Sequence, residues 1–242
     1  MRARRAMAAG AAAALAAHAV PLVTTRASLR RRYLPRLAGL GSLDHVALTF
    51  DDGPDPASTP HFLEELDRLG MRATFFMLGV NADVHRSVAA EVAAAGHEVA
   101  AHGYHHRSQL FTPPARVRDD ILRGIHTVAE ATGQMPRWYR PPFGTLSNAG
   151  LFAAQRFGLR TVLWSAWGKD WSEKATPESV LAELDRDLGP GVTVLLHDSD
   201  CASAPGSWHA ALGALEGLAE RLSAAGLTAG PLREHGIADA AS

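Results

Sequence analysis

Cysteine is almost absent from this chain of 242 residues, because Cys201 is the only one. A single cysteine excludes an internal disulfide framework and any cysteine-rich zinc site. A strong compositional bias is missing as well, since 47% of the residues are hydrophobic and 20% are charged. This ordinary mixture excludes a disordered chain, a collagen-like repeat and a coiled coil. The length suits one large domain or two small ones with a sizeable core.

Acidic residues are missing from the start of the chain, although the formal net charge of −1 looks balanced. The first 36 residues contain eight arginines and no Asp or Glu. The remainder holds 16 basic residues against 25 acidic ones, which gives it a net charge of −9. An acidic body argues against nucleic acid as the main partner. Binding of anionic lipid or nucleic acid through the arginine-rich start is compatible with this charge and would depend strongly on salt.

Residues 1–43 resemble a targeting segment or a membrane contact, followed by a linker. An alanine-rich apolar run over residues 6–20 follows three arginines, Arg2, Arg4 and Arg5. This pattern is typical of a secretory signal peptide, whereas the run is too short and too weakly apolar for a transmembrane helix. We therefore expect export or membrane association, with the arginines at 30–32 beside an anionic lipid surface. The alternative is an alanine-rich helix on the surface of a cytoplasmic domain.

From residue 44 onward, apolar strands alternate with amphipathic helices, without a long linker, a second domain or a repeat. Strands are predicted over residues 45–50, 73–78, 97–101, 137–140, 160–166, 192–196 and 227–229. Helices are predicted over residues 59–69, 83–95, 114–132, 146–157, 176–188 and 207–225. Such β-α units indicate a parallel sheet covered by helices. Because no Gly-rich phosphate loop follows any strand, we expect an α/β fold that is a distorted parallel (β/α) barrel of about seven strands.

This domain is expected to span residues 44–230, with a C-terminal tail at 231–242. The polar residues able to do chemistry follow the carboxyl ends of its predicted strands: Asp51, Asp52, His102, His105, His106, Arg140, Asp170, His197 and Asp198. In a parallel barrel these ends converge on one face, where active sites of this architecture lie. The sequence therefore predicts one active site at this face, with Asp198 interpreted as a loop acid that caps or turns the chain.

Asp52, His102 and His106 form a candidate metal site. Three protein ligands leave positions open for water and substrate, which is the catalytic rather than the structural pattern for zinc. The four-residue spacing of the histidines brings both rings to one side if the segment makes a helical turn. His105 leaves the choice open, since His102 and His105 are an alternative pair. A mixed nitrogen and oxygen site also accepts cobalt, nickel or manganese.

Five short motifs in this region resemble those of a known family. They are Leu48-Thr49-Phe50-Asp51-Asp52-Gly53-Pro54, His102-Gly103-Tyr104-His105-His106, Arg140-Pro141-Pro142-Phe143-Gly144, Trp164 to Trp171, and Leu195-Leu196-His197-Asp198. In this order they are similar to the motifs of the polysaccharide deacetylases with the NodB homology domain, also called carbohydrate esterase family 4. The resemblance covers roughly residues 44–230 and implies a fold of the NodB type.

The resemblance implies roles for the charged residues of these motifs. Asp51 would be the general base that activates the attacking water, and Asp52 would ligate the metal together with His102 and His106. Arg140 would hold Asp51 in place and keep it ionised, because a nearby cation lowers the pKa of a carboxyl group.

The resemblance also implies the acid and the substrate pocket. His197 would protonate the leaving amine, with Asp170 orienting it and stabilising its charged form. The backbone N–H of Phe143 would help to stabilise the oxyanion, a contribution on the order of a few kcal/mol. Leu195 and Trp171 would form the small apolar pocket for the acetyl methyl group.

Two positions depart from the family pattern. Trp167 stands where the family often has an acid, and Phe143 replaces the usual Tyr but keeps its backbone N–H. We expect both changes to affect substrate choice rather than activity. Trp164, Trp167 and Trp171 either pack in the core or stack on sugar rings, and Trp164 and Trp171 are taken as candidate substrate-binding residues.

Together these residues predict a metal-dependent hydrolase that removes N-acetyl groups from a sugar or glycan, such as a chitin oligomer or cell-wall peptidoglycan. One divalent ion, zinc first, would polarise the amide carbonyl, and a separate acid would protonate its nitrogen. Because no acyl-enzyme is needed, Cys201 is interpreted as structural. The first alternative is the same machinery acting on a small non-carbohydrate amide or imide. The second is a non-catalytic glycan-binding relative, which predicts a missing base, acid or ligand.

Overall fold

The computed structural model describes residues 26–237 as alternating strands and helices. The strands are β1 (His45–Asp51), β2 (Thr74–Met77), β3 (Glu98–Ala101), β4 (Trp138–Tyr139), β5 (Arg160–Thr161), β6 (Ala166–Trp167), β7 (Thr193–His197) and β8 (Thr228–Gly230). The helices are α1 (Ala27–Tyr33), α2 (Thr59–Arg68), α3 (Gly79–Val84), α4 (Arg86–Ala94), α5 (Pro114–Thr132), α6 (Asn148–Arg156), α7 (Pro177–Leu184) and α8 (Trp208–Ala224). Short 3₁₀ turns lie at Gln109–Phe111, Pro142–Gly144 and Leu232–Glu234.

Seven parallel strands form a curled half-barrel, in the order β5-β4-β3-β2-β1-β7-β6. β1 is central: its second half pairs with β2 and β7, and its first half pairs with β8. The predicted parallel barrel is thereby confirmed. Because all of these strands run in one direction, their carboxyl ends lie at the same edge of the half-barrel.

Alternation along β1 decides which of its side chains reach that edge. Leu48 and Phe50 join the apolar core between the sheet and the helices, where the rings of Phe50 and Phe62 lie 5.1 Å apart. Ala47 belongs to a separate core cluster inside the half-barrel. Since successive side chains of a strand point to opposite faces, Asp51 lies on the same inner face as Ala47.

The strand predicted over residues 160–166 is wrong, because this stretch forms two separate strands. β5 pairs with β4, whereas β6 pairs with β7 at the other end of the sheet. Between β5 and β6 the carbonyl oxygens of Leu163 and Trp164 accept hydrogen bonds from guanidinium groups of Arg140 and Arg30, at 2.9 Å and 2.7 Å. The sequence of residues 160–166 does not indicate these distant partners, so it predicts one continuous strand.

Residues 26–43 pack along this opening in the half-barrel. Leu37 O accepts a hydrogen bond from Leu163 N at 2.7 Å, and Gly39 O accepts one from Thr193 Oγ1 at 2.6 Å. Arg30, expected beside a lipid surface, is instead 2% exposed. This segment is therefore part of the packed unit.

The packed unit extends past the predicted limits of 44 and 230 at both ends. On the C-terminal side, Leu232 and Ile237 are buried inside the half-barrel. The run over residues 6–20, which resembles a signal peptide, lies outside the described residues. Among helices in residues 26–237, none is long and apolar enough to cross a membrane.

The helix predicted over residues 83–95 is also divided, into α3 and α4, with the break at His85 (φ −115°, ψ 50°). α3 begins earlier than expected, at Gly79, two residues after the end of β2, where the Gly79 N–H donates to Gly103 O at 2.9 Å. A Cβ at Gly79 would lie 2.7 Å from the ring of Tyr104. Glycine thus allows α3 to approach the loop that follows β3, which is one wall of the site.

Candidate active site

A cleft of about 510 Å³ opens at the carboxyl edge of the half-barrel. This is the edge at which the sequence predicts the active site. Its lining contains most of the predicted site residues together with one arginine from α1: Arg30, Asp51, Asp52, His102, His106, Phe143, Gly144, Trp164, Trp167, Trp171, Leu195, His197, Ala202 and Ser203. Arg140 and Asp170 lie behind this lining and are buried. The half-barrel therefore brings all the predicted catalytic and metal-ligating side chains together.

Asp52, His102 and His106 form a cluster whose ligand atoms all lie within 4.8 Å of one another. Asp52 Oδ1 lies 3.4 Å from Nε2 of each histidine. This oxygen is buried and accepts no hydrogen bond within residues 26–237. An orphaned carboxylate oxygen facing two imidazole nitrogens fits a divalent metal ion with nitrogen and oxygen ligands.

The protonation states of this cluster also suit a cation. Burial alone would raise the pKa of Asp52, but contact with His102 and the nearby His197 and His106 lower it to about 2. Burial, reinforced by His102, lowers the pKa of His106 to about 4. A carboxylate and a neutral imidazole are the forms that bind metals.

The loop after β3 aims the histidines without a helical turn. Gly103 adopts the left-handed region (φ 84°), so the expected helical spacing of His102 and His106 is replaced by a sharp bend. His102 Nδ1 donates to Arg140 O at 2.8 Å, which leaves its Nε2 as the ligand atom. His105 turns away and its Nδ1 lies 3.0 Å from Asp120. The geometry therefore favours His106 over His105 as the partner of His102.

Asp51 is held by Arg140, as the motif resemblance implies. Arg140 Nη1 donates to Asp51 Oδ1 at 2.6 Å and to Thr49 Oγ1 at 2.9 Å. The guanidinium is fully buried and lies 4.0 Å from the ring centroid of Phe76. Burial lowers the pKa of Arg140, while Asp51 counteracts this. The other oxygen of Asp51 faces the Asp52–His102–His106 cluster and lies 3.8 Å from His102 Nε2.

His197 is held by Asp170 through two contacts. The His197 backbone N–H donates to Asp170 Oδ2 at 2.6 Å, and the ring Nδ1 lies 3.0 Å from Oδ1. Burial opposes a charge on this ring, but Asp170, Asp52 and Asp51 together raise the pKa of His197 to about 10. An imidazolium whose Nδ1 is occupied by Asp170 presents its Nε2–H as a proton donor.

The remaining predicted residues form the mouth of the cleft. Phe143 lies in a tight turn with a left-handed backbone (φ 60°), and its ring lies 4.2 Å from that of His106. Its side chain is 59% exposed and that of Trp171 is 49% exposed, so both are at the rim. Leu195 is buried at the floor, and Trp164 is tilted against Trp167 at 5.7 Å. The mouth is therefore largely aromatic.

Asp198, interpreted from the sequence as an acid that caps or turns the chain, bonds the turn beside the cleft. It is buried, and it accepts hydrogen bonds from Gly53 N at 3.1 Å and Thr59 Oγ1 at 2.6 Å. Burial raises the pKa of Asp198 to about 7. It thereby fixes the turn directly after Asp52. The signal was present, because an acid at the end of β7 must lie beside the end of β1.

Cys201 lies close to the Asp52–His102–His106 cluster but is not activated as a nucleophile. Its Sγ is 3.6 Å from the backbone oxygen of Asp52. Cys201 is exposed as a residue, but desolvation of its thiol and the charge of Asp52 raise the pKa of this thiol to about 11. A thiol that stays protonated at neutral pH is a poor nucleophile, which agrees with a mechanism that needs no acyl-enzyme.

Known proteins are similar to this chain in sequence and in fold. The family model for polysaccharide deacetylases matches residues 41–162. The chain is 36% identical over 155 residues to a peptidoglycan-N-acetylglucosamine deacetylase of Bacillus cereus, covering 63% of this chain and 72% of that protein. It is 34% identical over 154 residues to a chitooligosaccharide deacetylase of a Bradyrhizobium strain, covering 63% of this chain and 70% of that protein.

A solved structure gives the same result. The crystal structure of the Bc1960 peptidoglycan N-acetylglucosamine deacetylase superposes with a TM-score of 0.77 at 26% identity, covering 88% of this chain and 97% of that one. The chain therefore belongs to the polysaccharide deacetylase family. The resemblance to this family is confirmed, and with it the class of hydrolases acting on amide bonds.

Proposed function

We propose that the protein is a divalent-metal-dependent amidase that removes acetyl groups from an N-acetylated glycan. The observation that carries this proposal is the meeting of three units in one cleft. These units are the Asp51–Arg140 pair, the Asp52–His102–His106 cluster and the His197–Asp170 pair. The second supporting fact is that the relatives named above are deacetylases of N-acetylglucosamine polymers.

Asp52, His102 and His106 would hold the metal ion, for which zinc is proposed first, with cobalt, nickel or manganese as alternatives. When bound, such an ion supplies Lewis-acid polarisation of a carbonyl and lowers the pKa of water toward neutrality. His102 is oriented for this by the bond from its Nδ1 to Arg140 O, 2.8 Å long. The same arginine therefore positions both a metal ligand and Asp51.

Asp51 is proposed as the general base. The guanidinium of Arg140 donates to one carboxylate oxygen at 2.6 Å, which orients the group and leaves the other oxygen facing the Asp52–His102–His106 cluster. That oxygen takes a proton from water as the water oxygen adds to the acetyl carbonyl carbon. The backbone N–H of Phe143 is proposed to donate to the resulting oxyanion, worth on the order of a few kcal/mol.

His197 is proposed as the general acid for the second half of the reaction. Its Nε2–H gives a proton to the amide nitrogen as the carbon–nitrogen bond breaks, so the products are acetate and a free amine. Asp170 keeps the ring charged and oriented through its contact at Nδ1. An acid on this ring and a base at Asp51 match the two proton transfers that amide hydrolysis requires.

The substrate is proposed to be an N-acetylated sugar polymer such as a chitin oligomer or peptidoglycan. Leu195 at the floor and Trp171 at the rim form an apolar pocket suited to the acetyl methyl group. Trp164 and Trp167 offer aromatic surface on which sugar rings stack. A role on cell-wall glycan, with export or membrane attachment, is proposed from the basic and apolar start of the chain and from the peptidoglycan-acting relatives.

The test is hydrolysis of three substrate types. Acetate release is followed for N-acetylglucosamine oligomers and for peptidoglycan, and loss of the substrate is followed for small non-carbohydrate amides and imides. Asp51→Asn removes the base while keeping the shape of the side chain, so it is the matched inactive control. Release from the glycans alone, abolished in the control, supports the proposal. Turnover of small amides or imides alone would show that the substrate is not a glycan. Hydrolysis of none of the substrates would indicate a non-catalytic binding protein.

A further inference from the structure

Two guanidinium groups hold the backbone of Leu163 and Trp164 in the opening of the half-barrel. Arg140 Nη2 donates to Leu163 O at 2.9 Å, and Arg30 Nη2 donates to the next carbonyl, Trp164 O, at 2.7 Å. The guanidinium carbons also lie 5.9 Å and 5.3 Å from the centroid of the Trp164 ring. Trp164 is thus fixed at its carbonyl and at its ring, and only one of the two arginines belongs to a family motif.

Trp164 in turn supports the loop that carries the proposed oxyanion donor. A Cβ at Gly144 would lie 2.5 Å from Cη2 of Trp164, so the indole packs directly against the backbone that follows Phe143. The ring also lines the cleft. A displacement of Trp164 would therefore move three things together, namely the cleft wall, the Phe143 turn and the Leu163 carbonyl that orients Arg140.

Arg30 is built into this position by α1. It is 2% exposed, whereas Arg31 on the same helix is half-buried, ion-pairs with Asp187 at the surface and donates to Ser165 O at 3.4 Å. Burial and the nearby Arg140 lower the pKa of Arg30 to about 10, which still leaves it charged at neutral pH. A buried charge is costly unless its hydrogen bonds are made, so the bond to Trp164 O ties the guanidinium and the tryptophan to one geometry.

We propose that Arg30 is a positioning residue of the active site, which acts through Trp164 on Arg140 and on the Phe143–Gly144 turn. Arg30 lies outside residues 41–162, the part of the chain matched by the family model. The kinetic part of the test rests on the proposed deacetylase function. Arg30 is among the residues that line the cleft but is only 2% exposed. Its loss should therefore change the alignment of the reacting groups more than a contact with substrate, and should lower kcat more than it raises KM.

The kinetic experiment compares full-length wild type, Arg30→Ala, Arg30→Lys and the control Arg32→Ala, at an exposed arginine of the same helix that contacts Tyr33, in acetate release from N-acetylglucosamine oligomers. We expect kcat of Arg30→Ala to fall by about 10-fold or more, as for small misalignments in other enzymes. Added ethylguanidinium should restore part of this kcat. Arg32→Ala should keep the wild-type kcat. A wild-type kcat in Arg30→Ala would overturn the proposal.

Near-UV circular dichroism gives a second readout that needs no substrate. Arg30→Ala should change the tryptophan signal, and the change should vanish in a Trp164→Phe background. If the wild type releases no acetate but this spectral change occurs, the deacetylase function fails while the positioning of Trp164 stands. Should Arg30→Ala not fold, Arg30→Lys decides: reduced kcat at an unchanged melting temperature supports the proposal, and wild-type kcat and spectrum overturn it.

Discussion

Asp170→Asn tests how His197 is kept charged. Asn has nearly the same size as Asp, so the substitution removes the charge while disturbing the packing least. In the wild type one carboxylate oxygen accepts the His197 backbone N–H at 2.6 Å and the other lies 3.0 Å from His197 Nδ1. Because Asn has a single acceptor oxygen, the variant removes the charge of Asp170 together with one of these two contacts to the proposed general acid.

The expected magnitude follows from the charge separation. Two unit charges about 4 Å apart at an effective dielectric constant near 20 interact by roughly 4 kcal/mol, and one pKa unit corresponds to about 1.4 kcal/mol. The pKa of His197 is raised to about 10, so loss of Asp170 should bring it to about 7. A group with a raised pKa is charged below that pKa and loses the charge as the pH rises through it. The alkaline limit of activity should therefore move down by about three pH units.

The assay is the pH profile of kcat/KM for acetate release, measured from about pH 6 to about pH 10. A divalent ion held by Asp52 would offset the effects of the Asp52 and Asp51 charges on the pKa of His197, and would therefore lower the alkaline limit in both wild type and variant. It would leave the effect of Asp170 on this pKa in place. Asp185→Asn, at an exposed ion pair with Arg221, is the control and should keep the wild-type profile. An alkaline limit that is the same in Asp170→Asn and wild type would refute this explanation of the charged state.

Three further substitutions test other parts of the site. Gly144→Ala should lower kcat by about 10-fold or more and should also lower the melting temperature. The reason is that the φ of 62° at Gly144 disfavours a side chain, and the added Cβ would lie 2.5 Å from a carbon of the Trp164 indole. Steady-state kinetics and thermal melts measure both effects, and a wild-type kcat with a wild-type melting temperature would contradict this prediction. Cys201→Ser should retain kcat, since no acyl-enzyme forms, and complete loss of acetate release would show otherwise. His106→Ala should lose binding of zinc in equilibrium dialysis whereas His105→Ala keeps it, and equal losses would reject the choice of His106.

The strand ends and the charges on them could be predicted because their signals are local. β1 and β7 are short apolar runs, and the acids or histidine that follow them reach one edge in any parallel barrel. Helix α5 was predicted with the same limits, Pro114 and Thr132, since proline at its start and Gly133 (φ 69°) at its end mark them. Site residues on such elements, above all Asp51 and His197, could therefore be named from the sequence.

What could not be predicted depends on partners that are distant in the chain. The split of residues 160–166 arises because their carbonyls bind Arg30 and Arg140, which are 134 and 23 residues away from their acceptors. Nothing in the spacing of His102, His105 and His106 decides which two converge, because the bend at Gly103 sets their directions. These are properties of tertiary packing, which overrides local pattern.

Asp198 lies between these two cases. Its position after the His197 strand was visible, and the pairing of β7 with β1 follows from a parallel barrel that closes near its first strand. The Asp198 carboxylate packs against Gly53 so closely that a Cβ at Gly53 would lie 2.1 Å from it. This contact requires the pairing of β7 with β1. The acid could therefore have been assigned to the turn after Asp52 once the strand order was assumed.

The most direct test of the central claim is a metal titration of the full-length protein. Metal-free protein is titrated with zinc while bound zinc and acetate release from N-acetylglucosamine oligomers are both followed. We expect release to appear with zinc and to level off at one ion bound per chain, as one Asp52–His102–His106 cluster requires. Asp51→Asn should bind the ion but release no acetate. Acetate release that is unchanged by removal of metal, or that persists in Asp51→Asn, would contradict the assignment of this cleft as a metal-dependent deacetylase site.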